Sequence, residues 1–158
     1  MSRRIHVEAE RMIDAKPQDV YTFITDYRDK RPRILPPNYI DYTVVKGGRG
    51  AGTVIRYRFH AARRERQYEM EAEEPSKGRV LLERDTTSSL VTTWTVTPTA
   101  SKNQTRVAIT TEWEGGRGVG GFFERTFAPM GLRRVYKDML DRLEQAVAPS
   151  STASRAAS

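Results

Sequence analysis

From residue 39 to residue 114 the chain alternates apolar and polar side chains with a period of two, and beyond that it changes to a helical period. A run of that length and regularity constrains the fold more than any other feature. It calls for consecutive antiparallel strands, wet on one face and covered on the other. Residues 53–60 set Thr53, Ile55, Tyr57 and Phe59 against Val54, Arg56 and Arg58. Residues 65–74 set Tyr68, Met70 and Ala72 against Glu69, Glu71 and Glu73. Residues 39–46, 79–85, 90–97 and 105–114 supply the other strands of the run. The glycines from Gly47 to Gly52 read as a hairpin turn with positive φ, and residues 75–78 as another turn.

A further strand precedes this run, because residues 5–13 alternate in the same way. Pro17 and Asp19 then suit the first turn of a helix, and Val20, Phe23, Ile24 and Tyr27 form one apolar stripe along it. A second short helix is expected at residues 29–34, stopped by Leu35, Pro36 and Pro37. After the glycine-rich residues 115–121, the face carrying Phe122, Phe123, Thr126, Phe127 and Met130 continues through Val135, Tyr136, Met139, Leu140, Leu143 and Val147. Pro129 and Gly131 predict a kink there, or a short first helix. Residues 149–158 hold no apolar side chain larger than alanine and read as a disordered tail. The expected fold is therefore α+β in the order β-α-α-β6-α, one domain over residues 4–148. One amphipathic helix is a narrow cover for seven strands, so either side chains fill the space beneath it or a cavity remains.

Composition removes several functions. The chain has no cysteine, which excludes disulfides, thiol catalysis and cysteine-held metals. Two histidines, His6 and His60, lie far apart and read as surface or packed residues; no metal site is expected. No apolar run is long enough to span a membrane, and the N-terminal residues lack the apolar core of a secretory signal, so a cytoplasmic protein is expected. The net charge of +7 comes from 27 basic and 20 acidic residues, with arginine dominant. Arg3-Arg4, Arg28 to Arg33, Arg63 to Arg66 and Arg133-Arg134 are separate clusters and read as solvated surface. Nucleic acid is accordingly not expected as a partner, while transient contact with anionic membrane stays open.

The motif Gly116 to Gly121 fits G-x-G-x-x-G, but a dinucleotide site needs a parallel strand after the helix, and the strands before it read as antiparallel, so dinucleotide binding is not expected. Glu73-Glu74 sits by a turn, and Glu112 and Glu114 share a strand face that can be wet; neither pair reads as an acid–base couple. The aromatic residues are more informative. Tyr57, Phe59, Tyr68, Trp94 and Trp113 fall on strand faces, with Phe123 and Phe127 on the helix. They describe a packed core or the wall of an apolar pocket, whose polar handles would be tyrosine hydroxyls, tryptophan N–H groups, Thr92 and Thr111.

Residues 13–27, with their strand, "A-x-P-x-x-V" and helix ending near Asp26, resemble the opening of the START-like, or SRPBCC, superfamily. Gly47 to Thr53, the run of hairpins, and Gly120-Gly-Phe-Phe-Glu-Arg leading into residues 132–143 are similar to its polyketide cyclase/dehydrase branch. The resemblance implies the helix-grip fold: a curved seven-stranded antiparallel sheet around a long C-terminal helix, with a hydrophobic cavity between. It implies a hydrophobic small-molecule ligand of lipid, polyketide or isoprenoid type, no cofactor, and a monomer or weak homodimer. The expected lining is Tyr57, Phe59, Tyr68, Met70, Thr92, Trp94, Thr111, Trp113, Phe123, Phe127 and Met130. A binding or transport module is the first reading. The alternative is a polyketide aromatase/cyclase or dehydratase, with Tyr57, Tyr68 or an inward Arg84 orienting a keto oxygen.

Overall fold

The structure is a computed structural model that describes residues 4–61, 64–114 and 129–147. Seven strands form one antiparallel sheet: β1 (Arg4–Ile13), β2 (Tyr39–Lys46), β3 (Val54–Ala61), β4 (Arg64–Ser76), β5 (Val80–Asp85), β6 (Val91–Pro98) and β7 (Thr105–Glu114). Their order across the sheet is β1-β7-β6-β5-β4-β3-β2. The meander from β2 to β7 is thus closed by β1, which returns to pair with β7 along its whole length, from Arg4 opposite Glu114 to Ile13 opposite Thr105. Helix α1 (Pro17–Thr25) follows β1, and α2 (Pro129–Val147) follows β7. This is the seven-stranded sheet with a C-terminal helix that the sequence pattern calls for.

Alternation decides which way each strand faces. On β7, Thr105, Val107, Ile109, Thr111 and Trp113 are buried, and the residues between them are less so. The α2 face that meets them carries Leu132, Val135, Tyr136, Met139, Leu140 and Leu143, all buried. α2 lies chiefly against β1, where Arg133 Nε donates to the Glu8 carbonyl at 3.0 Å and Arg11 pairs with Glu144 at 3.0 Å. Burial of these side chains stabilises each by roughly 1.5–3 kcal/mol, which fixes α2 across the sheet.

The β2–β3 loop does more than turn the chain. Gly47, Gly48, Gly50 and Gly52 all take positive φ, as expected. The loop also receives the end of α1: the Gly48 carbonyl accepts from Tyr27 N–H at 2.9 Å, and Gly50 N–H donates to the Thr25 carbonyl at 3.0 Å. Glu74 on β4 accepts from Ala51 N–H at 2.8 Å and from the Tyr21 hydroxyl at 2.7 Å. Loop, helix and sheet are thereby tied at one point.

Two local expectations change. Residues 31–34 form a single 3-10 turn, Arg31–Ile34, in place of a helix over 29–34; Pro32 lacks an N–H, and the bonds run Arg33 to Lys30 and Leu35 to Pro32. β4 carries Pro75 and Ser76 inside the strand, and the turn moves to residues 77–79. A register irregularity between Glu73 and Ser76 accommodates the proline. α2 continues from Pro129 through Gly131 without a break, and a short first helix before it would lie outside the described residues. The glycine motif at 116–121, Phe122, Phe123, Thr126, Phe127 and residues 149–158 lie outside the described residues.

Candidate functional site

A cavity of ≈ 40 Å³ lies between the inner face of the sheet and α2. It is bounded by Arg31, Leu35, Tyr39, Tyr42, Ile55, Tyr57, Phe59, Tyr68, Met70, Glu83, Leu90, Thr92, Trp94, Ile109, Leu132, Tyr136 and Met139. Ordinary small-molecule pockets enclose roughly 300–1,000 Å³. The hollow is therefore real but nearly closed, and a guest larger than a few waters requires side chains to move. Leu35, Tyr39, Tyr42 and Tyr57 are the half-buried members of the lining and form its most exposed wall.

Strand register assembles the lining. Tyr57 lies opposite Tyr68, Ile55 opposite Met70, and Tyr39 opposite Phe59. The Tyr57 and Tyr68 rings stack at 5.7 Å, and Tyr39 meets Tyr57 at 5.0 Å and Phe59 edge-on at 5.1 Å. Such ring contacts add about 0.5–1.5 kcal/mol each, so the aromatic wall holds its shape without a ligand. No hydrogen bond joins the Tyr39 or Tyr57 hydroxyl to another described residue. Burial raises both hydroxyls well above the ordinary tyrosine pKa, so each faces the cavity as a neutral O–H.

The lining also includes a buried ion pair. Arg31, on the 3-10 turn, donates from Nη2 to Glu83 Oε2 at 2.6 Å and from Nη1 to the Ile24 carbonyl at 2.6 Å. Its guanidinium lies 4.6 Å from the centre of the Trp94 ring and 5.0 Å from that of Tyr27. Glu83 also accepts from the Tyr27 hydroxyl at 2.6 Å and from Trp94 Nε1 at 3.2 Å. Burial on its own would lower the Arg31 pKa, but the Glu83 carboxylate beside it drives it up, and the guanidinium stays charged. Burial raises Tyr27 as well, and the same carboxylate adds to it. A hydroxyl chain completes the polar set: Thr92 and Thr111 are 2.8 Å apart, and Thr111 hydrogen-bonds Tyr136. Burial pushes Tyr136 up to about 12.

Of the residues expected to line a pocket, Tyr57, Phe59, Tyr68, Met70, Thr92 and Trp94 border this cavity. Thr111 stands one hydrogen bond behind Thr92, and Trp113 is buried on β7 opposite Ile5, away from the lining. Met130 belongs to α2, but its side chain, like Phe123 and Phe127, lies outside the described residues.

Two readings of charge are corrected. Arg84 does not point inward: it is exposed and pairs with Glu73 at 3.1 Å, while its neighbour Glu83 faces the cavity. Buried Ala72 pairs with Glu83 and exposed Glu71 with Arg84, so the regular alternation of β5 turns Glu83 in and Arg84 out. Arg31 is not solvated surface; its side chain is 5% exposed. No local signal marks it, because α1 ends at Thr25 and its apolar stripe does not run on to Arg31.

Among the described residues no group of three or more histidine, cysteine or acidic side chains could hold a metal ion, and no helix is long and apolar enough to cross a membrane. The family model for polyketide cyclase/dehydrase and lipid transport proteins matches residues 4–148. The chain belongs to that family. Similar solved structures share the fold. The solution structure of KanY protein is 38% identical, covers 92% of this chain and 98% of its own, and superposes with a TM-score of 0.80. A Thermus thermophilus protein, TTHA0849, is 22% identical over 93% of this chain and 99% of its own, TM-score 0.72. Norcoclaurine synthase from Thalictrum flavum is 15% identical over 96% of this chain and 98% of its own, also at 0.72. The last two show the shared fold alone. No curated protein matches the chain significantly. Membership of the polyketide cyclase/dehydrase and lipid transport family carries with it a site for a hydrophobic small molecule, or cyclase-type chemistry, as the coarse function.

Proposed function

We propose that the protein binds or carries a hydrophobic small molecule in the cavity beneath α2, and that an aromatic, oxygen-bearing guest of the polyketide type suits it better than a plain lipid or isoprenoid chain. The observation that carries this reading is the pairing of an aromatic wall with hydroxyls left over. Tyr39 and Tyr57 present O–H groups that no described residue takes up. A wholly apolar guest would leave such donors unpaired in a dry cavity, at a cost of about 1–3 kcal/mol apiece. A guest with a keto or phenolic oxygen would satisfy them. Entry requires the half-buried Tyr39 and Tyr57 rings to swing outward, because the closed cavity has room for little.

A cyclase or dehydratase is the second reading, favoured by one observation: the Glu83 carboxylate shares the cavity lining with several tyrosines. Those hydroxyls would orient a keto oxygen while the carboxylate takes a proton from the adjacent carbon. Binding stands first because Glu83 is already held by Arg31, Tyr27 and Trp94, and a base must be free to accept. On either reading the protein works in the cytoplasm as a monomer or weak homodimer, without a cofactor.

The test is titration with an apolar fluorescent probe and with its hydroxylated analogue. Saturable binding of both, tighter for the hydroxylated one, is expected, and Trp94→Ala weakens each. Turnover of a poly-keto mimic that is lost in Glu83→Gln would move the conclusion to the enzyme. Failure of either probe to saturate would remove the binding reading.

A further inference from the structure

Basic residues on the outer face of the sheet are largely neutralised in place. Arg56 pairs with Glu69 at 2.8 Å, and Arg58 with both Asp41 and Glu65 at 2.7 Å. Arg106 pairs with Glu10 at 3.6 Å on the same face, and Arg11, at the covered edge of β1, pairs with Asp141 of α2 at 3.2 Å. One region differs. Lys16, Lys77 and Lys102, three of the six lysines in the chain, meet Arg79 around a concave groove of ≈ 590 Å³. They arrive from three separate segments: the residue before α1, the β4–β5 turn and the β6–β7 loop. All four are exposed, and among the described residues none is in an ion pair. Pro17, Gln18, Gly78 and Pro98 complete the lining, so no acid and no aromatic ring is present.

The groove lies at the opposite end of the strands from the cavity. β6 starts beside Leu90 and Trp94 at the cavity and ends at Pro98 in the groove, and β5 runs the other way, from Val80 towards Glu83. It is therefore a second site, independent of what the cavity holds.

We propose that this groove binds a small polyphosphate, a ligand of the inorganic or organic di- or triphosphate class. Converging cations without a counter-charge lower the cost of bringing several negative charges together, and lysine ammonium groups suit phosphate oxygens as point charges. Concavity selects a compact anion over a flat bilayer, which would touch only the rim. Apolar anchoring is missing too: among the described residues the large exposed apolar side chains, Met12 and Val45, lie outside the groove. With no ring in the lining, a nucleobase gains nothing by stacking, so phosphate number sets affinity and the base does not.

Calorimetric titration of the full chain with inorganic triphosphate, pyrophosphate and phosphate at low salt tests this. Triphosphate is expected to saturate and to bind tightest, phosphate weakest, with adenosine and cytidine triphosphates binding alike. Lys77→Ala combined with Lys102→Ala weakens triphosphate binding about tenfold or more, and Arg79→Ala, read separately, weakens it in the same direction. Because all these side chains are exposed, the melting temperature and the binding of the cavity probe stay unchanged, which separates failure here from failure of the cavity reading. Absence of saturation by triphosphate, or equal binding by the double variant, would overturn the proposal. So would uptake by phosphatidylglycerol vesicles or a polyglutamate peptide without triphosphate binding, which would assign the groove to a membrane or an acidic protein.

Discussion

Arg31 and Glu83, 52 residues apart, meet at 2.6 Å between Nη2 and Oε2, with side chains only 5% and 7% exposed. The pair links the 3-10 turn to β5 and forms one wall of the cavity. Breaking a buried pair from one side leaves an unpaired charge behind and costs about 3–5 kcal/mol. Glu83→Gln is therefore expected to lower unfolding stability by that amount in a urea titration. Replacing both partners with apolar residues, Arg31→Met with Glu83→Leu, is expected to recover much of the loss. A Glu83→Gln variant as stable as the parent would show that the pair contributes little.

All seven tyrosines are held above their ordinary pKa, by burial first. Tyr136 gives the clearest consequence. Its folded value near 12 exceeds the ordinary value of 10.0, so between these values the folded state holds a proton that the unfolded chain releases. The stability it contributes is complete below pH 10.0 and is lost as pH rises towards 12. Stability should fall with pH across that window by at most about 1.4 kcal/mol per unit from this residue. Tyr136→Phe should make the slope shallower. Denaturant midpoints measured through the window, with near-ultraviolet absorbance reporting tyrosinate, check it.

Gly50 has φ 61°, and a Cβ there would come within 2.3 Å of Glu74 Oε1. Gly50→Ala is expected to cost about 1–3 kcal/mol, because the strain cannot relax without releasing the Ala51 N–H and Tyr21 hydroxyl from Glu74. Gly78, also at positive φ but with open space around it, should lose less on the same substitution. Comparing the two melting temperatures separates backbone strain from collision.

The strands were legible because alternation is a local property: the buried faces of β3, β4, β6 and β7 follow from reading every second residue. Tyr57, Tyr68 and Trp94 reach one cavity for the same reason. Glu83 was not legible, because the covered face of β5 carries Leu81, Glu83 and Asp85, and two acids on one face read as the wet side until the pairing of Glu83 with Ala72 is known. Arg31 was hidden differently. It sits in a basic run that resembles ordinary surface, and its burial is a consequence of Glu83, Tyr27 and Trp94 arriving from other segments. The basic groove likewise joins positions 16, 77, 79 and 102, which no local reading brings together.

Tyr57→Phe separates the two properties of the cavity wall. The ring stays to stack on Tyr68, and only the hydroxyl is removed. Stability should change by less than about 1 kcal/mol, while the preference for a hydroxylated probe over its apolar analogue should shrink several-fold. An unchanged preference would place the polar recognition elsewhere, with Tyr39 the next residue to substitute.

The central claim is that a guest occupies the space between the tyrosine wall and α2. Intermolecular nuclear Overhauser contacts, recorded with a hydroxylated naphthalene at saturation, test it most directly. The account predicts one bound molecule, with contacts to the Met70 and Met139 methyls and the Trp94 indole. Contacts confined to the outer face of the sheet, or no bound molecule at all, would contradict it.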